Sequence, residues 1–420
     1  MNRRHFLHTA AGLAALSMQA VSANDKVTLG FIGVRGRGKS LAARFAALPD
    51  VDIAYMCDVD ERVLPRAAAG VEKISGQKPK LVGDLRRLLD DKSVDAVVVA
   101  TPDHWHAPAT ILACAAGKDV YVEKPCSHNV REGVLMVEAA RRYKRVVQVG
   151  TQARSRPSTQ EAIEYIHSGK IGKVLMAKAW NVQLRRDLGH KTDSSVPAGV
   201  DYDTWMGPTP ELPFNENRFH DNWRWHWNYG TGDIGNDGIH QIDQACWALD
   251  VEYPDRASGF GRKLSFSDDQ QTPDTMIITY EHKDKVLMFE MRIWNPYRME
   301  AGDNCIAVYG TDGMVQIGRW RGEKTHWKVF DKDGNVVRQE PMGSDLHCRN
   351  FVDCVRSRQA PNAEIATGFR STLYAHLGNI VARTGRTIKF DGKTNTIAGD
   401  AEANALLHRQ YRKHWATPRG

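Results

Sequence analysis

Three short stretches of this 420-residue chain combine residue types that could do chemistry. The first is Gly33-Val-Arg-Gly-Arg-Gly38, with Asp58 standing 25 residues beyond Gly33. Glycines between a strand and a helix let the backbone approach a pyrophosphate, whose charge then meets the helix amino terminus. An acid at the end of the next strand accepts hydrogen bonds from an adenosine ribose and repels a 2'-phosphate, so Asp58 favours NAD over NADP. Arg35 stands where the second glycine of GxGxxG belongs, and the reading therefore leans on context. Gly33, Arg35, Gly36, Arg37, Gly38 and Asp58 are the resulting cofactor-binding candidates. The second stretch pairs Thr101-Pro-Asp-His-Trp-His106 with Glu123-Lys-Pro125. A lysine before proline is held extended and can project into a cleft. The third is Asp233-Ile-Gly-Asn-Asp-Gly-Ile-His-Gln-Ile-Asp243, a helix-like run centred on His240.

Elements of two kinds are needed to position these groups. From Val27 to Gly150 short apolar runs alternate with helix-like stretches: Val27–Gly33, Val51–Cys57, Val94–Ala100, Asp119–Glu123 and Val146–Gly150 are the strands. That rhythm predicts an α/β fold with a doubly wound parallel (Rossmann) sheet over 24–150, whose carboxyl edge carries the first two motifs. Beyond Gly150 come a helix-like Gln160–Ser168, a strand over Lys173–Asn181, a loop rich in Pro, Asp and Trp over about 184–232, and a helix over Gly235–Leu249. Five β-type runs between Met276 and Phe330 then predict an open, mostly antiparallel sheet. Helices around Leu346–Ser357 and Ile365–Thr384 and a basic tail from Leu406 complete an α+β domain over 151–420.

In order, IGVRGRG, CD, ATPDHWH, EKP and VGTQ resemble the glucose-fructose oxidoreductase and inositol dehydrogenase superfamily (Gfo/Idh/MocA), from Val27 to the carboxyl terminus. The resemblance implies an NAD-dependent oxidoreductase in which Lys124 meets the hydroxyl being oxidised. Thr101, Pro102, His106, Glu123 and Gln152 would line the cofactor. It also implies a second-domain helix with Asp, then His four residues on. His240 matches, but Asn236 occupies the aspartate position and Asp237 follows it. Lys124, His240, Asn236 and Asp237 are thus the catalytic candidates, with Asn236 and His240 expected on one helix face and His240 expected to act as a base near its ordinary pKa of about 6.5. The exported twin-arginine subgroup and pairing as a homo-oligomer, dimer or tetramer, are further implications.

His220, Trp225, Trp227 and Tyr229 crowd the loop before this helix, and with Arg156 they are the substrate-binding candidates. Flat aromatic faces with polar edges suit pyranose rings, although the same residues could simply plug the loop. His240 and Asp243 have metal-compatible spacing, but no third ligand stands at helical spacing and no metal is expected.

The amino terminus changes the expected compartment. Arg3-Arg4 before a small-residue stretch ending in Val21-Ser-Ala23 reads as a twin-arginine export signal over 1–23, giving a periplasmic or otherwise exported protein. Removing Arg3 and Arg4 lowers the net charge from +7 to +5, and clusters such as Arg185-Arg186 read as solvated faces, so no nucleic-acid partner is implied. No run approaches the ~20 apolar residues of a membrane span. Seven cysteines without CxxC spacing are expected as free thiols.

Export makes a freely exchanging cofactor a poor choice, so bound NAD that is recycled in place is expected. Either a sugar or glycoside hydroxyl is oxidised and another carbonyl compound reduced, or a transient keto-sugar permits glycoside cleavage with no net redox change. The cleavage route needs a further acid/base, for which Tyr229 and Asp237 are candidates. A noncatalytic sensor that kept the fold is the remaining alternative.

Overall fold

The computed structural model describes residues 26–295, 297, 302, 304–320 and 322–419, and the expected export signal over 1–23 lies outside the described residues. Six strands, β1 (Val27–Ile32), β2 (Val51–Cys57), β3 (Lys80–Val82), β4 (Ala96–Val99), β5 (Asp119–Val122) and β6 (Val147–Val149), form a parallel sheet ordered β3-β2-β1-β4-β5-β6. Helices α1 (Gly36–Ala46), α2 (Leu64–Ser75), α3 (Leu85–Asp90), α4 (Asp103–Ala115) and α5 (Val130–Arg142) follow its strands. All four residues of β4 are buried, as a central parallel strand covered on both faces requires. The strand order reverses between β1 and β4, which opens a crevice at their carboxyl ends. There the chain turns at Gly33 with φ +82°, and a Cβ on Gly33 would lie 2.8 Å from the Ala100 carbonyl. The edge strand β3 is too short and too exposed to announce itself as an apolar run.

A second sheet contains β7 (Val174–Val182), β8 (Arg256–Arg262), β9 (Thr275–Glu281), β10 (Val286–Arg292), β11 (Asn304–Gly310), β12 (Met314–Ile317), β13 (Thr325–Phe330), β14 (Val336–Pro341), β15 (Ile388–Asp391) and β16 (Thr396–Ile397). Its order is β14-β13-β12-β11-β7-β10-β9-β8-β15-β16, antiparallel except between β7 and β10. In β10 Leu287, Phe289 and Met291 alternate inward, the period-two pattern of a sheet with one covered face. The remaining helices are α6 (Pro157–His167), α7 (Tyr202–Met206), α8 (Ile239–Leu249), α9 (His347–Ser357), α10 (Ile365–Thr384) and α11 (Ala401–Ala405).

Helix α10 joins the halves. It packs on α5 and β6 on one side and on α8, β8 and β9 on the other, within one continuous apolar core. Close approach depends on missing side chains: a Cβ on Gly133 would lie 2.1 Å from the Phe369 ring, and one on Gly368 would lie 2.4 Å from Val149. Helix α9 also returns to the first sheet, where Phe351 meets Phe45 and Tyr121 edge-on. Gly150 therefore follows the last parallel strand without ending that domain's contacts. Among the described residues no helix is long and apolar enough to cross a membrane, and the seven cysteines form no disulfide, six of them being buried.

Candidate active site

The crevice between β1 and β4 is lined by Gly33, Arg35, Gly36 and Arg37 on one side and by Thr101 and Pro102 on the other. Helix α1 begins here with no acid in its first turn and no side-chain cap, so its free N–H groups face the cleft. Gly38 lets α1 sit against the turn, since a Cβ there would lie 1.9 Å from the Gly33 carbonyl oxygen. Asp58 closes the outer end and accepts hydrogen bonds from the Val34 and Asp60 amides at 2.9 and 3.0 Å. Burial raises its pKa, against the pull of those amides. The Thr101 hydroxyl and one Arg37 terminal nitrogen are shut from water without a partner. A backbone cradle, an acid at the ribose position and orphaned donors together fit a dinucleotide.

Deeper in, Glu123 and Lys124 leave the end of β5. Glu123 is buried and accepts from Arg37 Nε at 2.8 Å; it fits because residue 150 is glycine, where a Cβ would lie 2.8 Å from its carboxylate. Burial pushes its pKa up, but the Arg37 and Lys124 charges outweigh burial and hold it low. His106 bridges the Pro125 and Thr101 carbonyls at 2.6 and 2.9 Å, which braces the turn behind Lys124. Gln152 stands behind Glu123, its amide 3.3 Å from the Tyr121 hydroxyl, and is not among the residues facing the groove.

The lysine ammonium donates to the Asn236 carbonyl at 2.6 Å, tying the first domain to the helix of the second. That helix corrects an expectation. Residues Ile234–Gly238 wind as a π-turn before α8, so Asn236 and His240 are not related by ordinary α-helical phase. The Asn236 side chain turns away to Asp233 at 2.8 Å, while Asp237 meets Asn304 at 3.2 Å and Arg185 at 3.5 Å. His240 has no ring hydrogen bond among the described residues, and the charges shaping it are Lys124, Glu123, Arg37 and Arg319. Burial first, then Lys124, push its pKa down to about 3, not near 6.5 as expected, so it is a neutral imidazole at neutral pH. Asp237 moves the other way: burial, then Asp233, raise its pKa.

Three of the five substrate candidates are engaged in packing elsewhere. Trp225 and Tyr229 are packing residues, 4% and 0% exposed, with Tyr229 wedged against Trp205 and His104. Trp227 is half-buried under the Arg383 guanidinium. Arg156 sits at the start of α6, where its electrostatic neighbours are Asp345, Arg319 and Arg44. His220 does line the crevice, at its outer end beside Asp60 rather than beside Lys124. Asp243, once weighed as a metal ligand, is committed to Arg154 at 2.9 Å.

The residues missed by sequence reasoning are Asp233 and Arg185. Asp233 is fully buried, accepts from Asn181, Asn236 and Arg185, and is the carboxylate around which the lysine-binding turn is organised. Arg185, expected on a solvated face, is half-buried between Asp233 and Asp237. Asp233 stood visible in the third motif; nothing local distinguished Arg185 from its exposed neighbour.

Family comparison agrees with this geometry along most of the chain. Residues 27–151 match the oxidoreductase family's NAD-binding Rossmann fold, and 177–288 with 330–417 match its C-terminal alpha/beta domain. The chain belongs to the Gfo/Idh/MocA oxidoreductase family. Its first domain is that family's NAD-binding fold. Among solved members of this architecture, the WlbA dehydrogenase of Bordetella pertussis, in complex with NADH and UDP-GlcNAcA, superposes with a TM-score of 0.65 at 20% identity, covering 87% of this chain and 99% of that one. The aldose-aldose oxidoreductase of Caulobacter crescentus gives 0.66 at 17% identity over 87% and 100%. An alpha-N-acetylgalactosaminidase of Shewanella oneidensis is 30% identical over 227 residues, 46% of this chain and 50% of that protein. The match thus spans half or less of the curated relatives' length.

Proposed function

We propose that the protein oxidises a hydroxyl of a sugar or glycoside using NAD that remains bound and is reoxidised in place. The observation that carries this reading is a lysine ammonium anchored at the inner end of a dinucleotide crevice, with the neutral imidazole of His240 electrostatically coupled to it. Bound NAD would accept hydride from the carbinol carbon. Lys124, fixed by the Asn236 carbonyl, stabilises the oxygen as it loses its proton, and His240 receives that proton. Glu123 holds Arg37 and adds negative potential beside the lysine. Asp233 sets the turn through Asn236. The structural neighbours named a WlbA dehydrogenase and an aldose-aldose oxidoreductase support the substrate class.

A redox-neutral glycosidase is favoured by one further observation. The Shewanella relative is named an alpha-N-acetylgalactosaminidase, and Asp237, whose pKa is raised by burial, is a carboxyl able to act as the extra acid. One experiment separates the readings: release and assay NAD(H) from protein purified without added cofactor, then follow intact protein at 340 nm with sugars and aryl glycosides. NADH that persists until a second carbonyl compound is added supports the oxidoreductase. Aryl release without net NADH supports the glycosidase, and absence of any bindable nicotinamide overturns both.

Export through Arg3-Arg4, a periplasmic location and assembly as a dimer or tetramer belong to the same proposal. Fractionation of an Arg3→Lys/Arg4→Lys variant and light scattering of the mature chain test them.

A further inference from the structure

The roof of the crevice comes from the second domain, and no motif assigns it a role. Tyr202, Trp205, Phe214, Phe219 and Tyr229 pack into an aromatic wedge at ring separations of 4.7 to 6.3 Å. The wedge buries these rings and leaves His220, Asp221 and Arg224, which lie between them in sequence, on the crevice opposite the glycine-rich turn. Arg224 is the unexplained member. Its Nε is shut from water and has no partner, its guanidinium lies over the Trp223 ring at 5.4 Å with Asp233 and Asp103 as further electrostatic neighbours, and its one ion pair among the described residues, to Asp221 at 3.9 Å, is long and uses a carboxylate 72% exposed. Its backbone position is fixed by Gly230, where a Cβ would lie 2.4 Å from the Arg224 Cα. The acids elsewhere on the crevice are already engaged: Glu123 by Arg37, Asp103 by Thr231, and Asp60 by Arg62 and His220.

We infer that Arg224 clasps the dinucleotide's pyrophosphate from the roof, opposite the α1 amino terminus, and that the His220–Asp60 contact is the latch holding the roof in that position. A guanidinium suits this place because it donates in a fork to phosphate oxygens and stays charged when half-buried. Arg35 and Arg37 lie on the facing turn, so a diphosphate is met by cations from both domains. The latch is short, 2.9 Å from His220 Nε2 to Asp60, and Asp60 is 2% exposed and gripped again by Arg62 at 2.7 and 2.8 Å. A second strut, Arg35 to Asp221 at 4.0 Å, spans the same gap. Arg224 is a binding residue and His220 and Asp60 are positioning residues. The inference rests on the dinucleotide reading of the crevice and not on the sugar reaction.

The test is calorimetric titration of the full mature chain, freed of nucleotide, with NAD, ADP and adenosine. Arg224→Gln is expected to weaken NAD and ADP by 10- to 100-fold and to leave adenosine within twofold, while Arg224→Lys recovers part of the loss. Equal weakening of adenosine, or unchanged ADP affinity, overturns the clasp. For the latch, His220→Asn suits the left-handed backbone at this position, φ +49°, because asparagine tolerates it. Stopped-flow displacement of NADH is expected to show release about tenfold faster; an unaltered release rate overturns the latch. Neither readout depends on sugar turnover, so failure here and failure of the proposed reaction are distinguishable.

Discussion

On the floor of the crevice each functional group lies within a few residues of a parallel strand's carboxyl end: the glycine turn after β1, Asp58 after β2, Thr101 after β4, Glu123 and Lys124 after β5. On the roof and inner wall the groups come from a long loop, a π-turn and the start of β11, and they are placed by burial and by one another. The floor is specified locally, because a strand leading into a helix at a glycine has few ways to fold. The roof is specified by contacts between residues far apart in the chain, so exchanging one partner there moves several groups.

Substitutions can break or sharpen that contrast. Lys124→Ala is expected to lower kcat roughly a thousandfold with NAD affinity nearly unchanged, measured by steady-state kinetics and calorimetry. Loss of NAD binding instead would show that the floor is not divided into a holding part and a reacting part. Next in size is the carboxyl-terminal tail, where Arg409 reaches buried Glu132 at 2.7 Å and the His104 carbonyl at 2.8 Å, while Arg412 grips the Gly207 carbonyl at 2.7 Å. Arg409→Ala leaves a buried carboxylate unpaired and is expected to cost about 3 kcal/mol of stability in denaturant unfolding.

Acid sharpens the comparison in another way. His104 and His128, beside this tail, and His376 are buried with lowered pKa values, about 3 for His104 and His376, chiefly through burial, with Arg409 adding to it for His104 and His128. Below pH 6.5 the unfolded chain binds protons that the folded chain does not. Stability should therefore fall as pH drops from 6.5, by up to ~1.4 kcal/mol per unit for each histidine, in urea titrations at stepped pH. The rate behaves oppositely: with His240 neutral down to low pH, kcat/KM should show no acid limb near 6.5. The smallest effect is reserved for Trp227→Phe, which should leave KM within twofold, since Trp227 packs under Arg383. A large rise in KM would return that ring to the substrate site.

These contrasts also explain what was legible in the sequence. The parallel sheet, the glycine turn, Asp58 and the lysine before proline could be read because each depends on neighbours in the chain. The antiparallel sheet was legible as alternation, but β8, interrupted by two glycines, β14, largely exposed, and β15 and β16, four and two residues long, were not. Trp225 and Tyr229 were misplaced because an aromatic cluster has the same composition whether it faces a ligand or its own core. The phase of His240 was misjudged because nothing in Ile234–Gly238 marks one residue more per turn. Arg185 acquires meaning only from Asp233, 48 residues away.

Helix α10, wedged through Gly133 and Gly368 into both sheets, carries a mechanical consequence. With one apolar core threaded through the waist of the molecule, swinging the halves apart would expose that core, and heating should melt them together in a single calorimetric peak. Breathing is left to the roof: nucleotide would enter and leave by the lifting of a loop, while the lysine stays tied across the two domains to the Asn236 carbonyl.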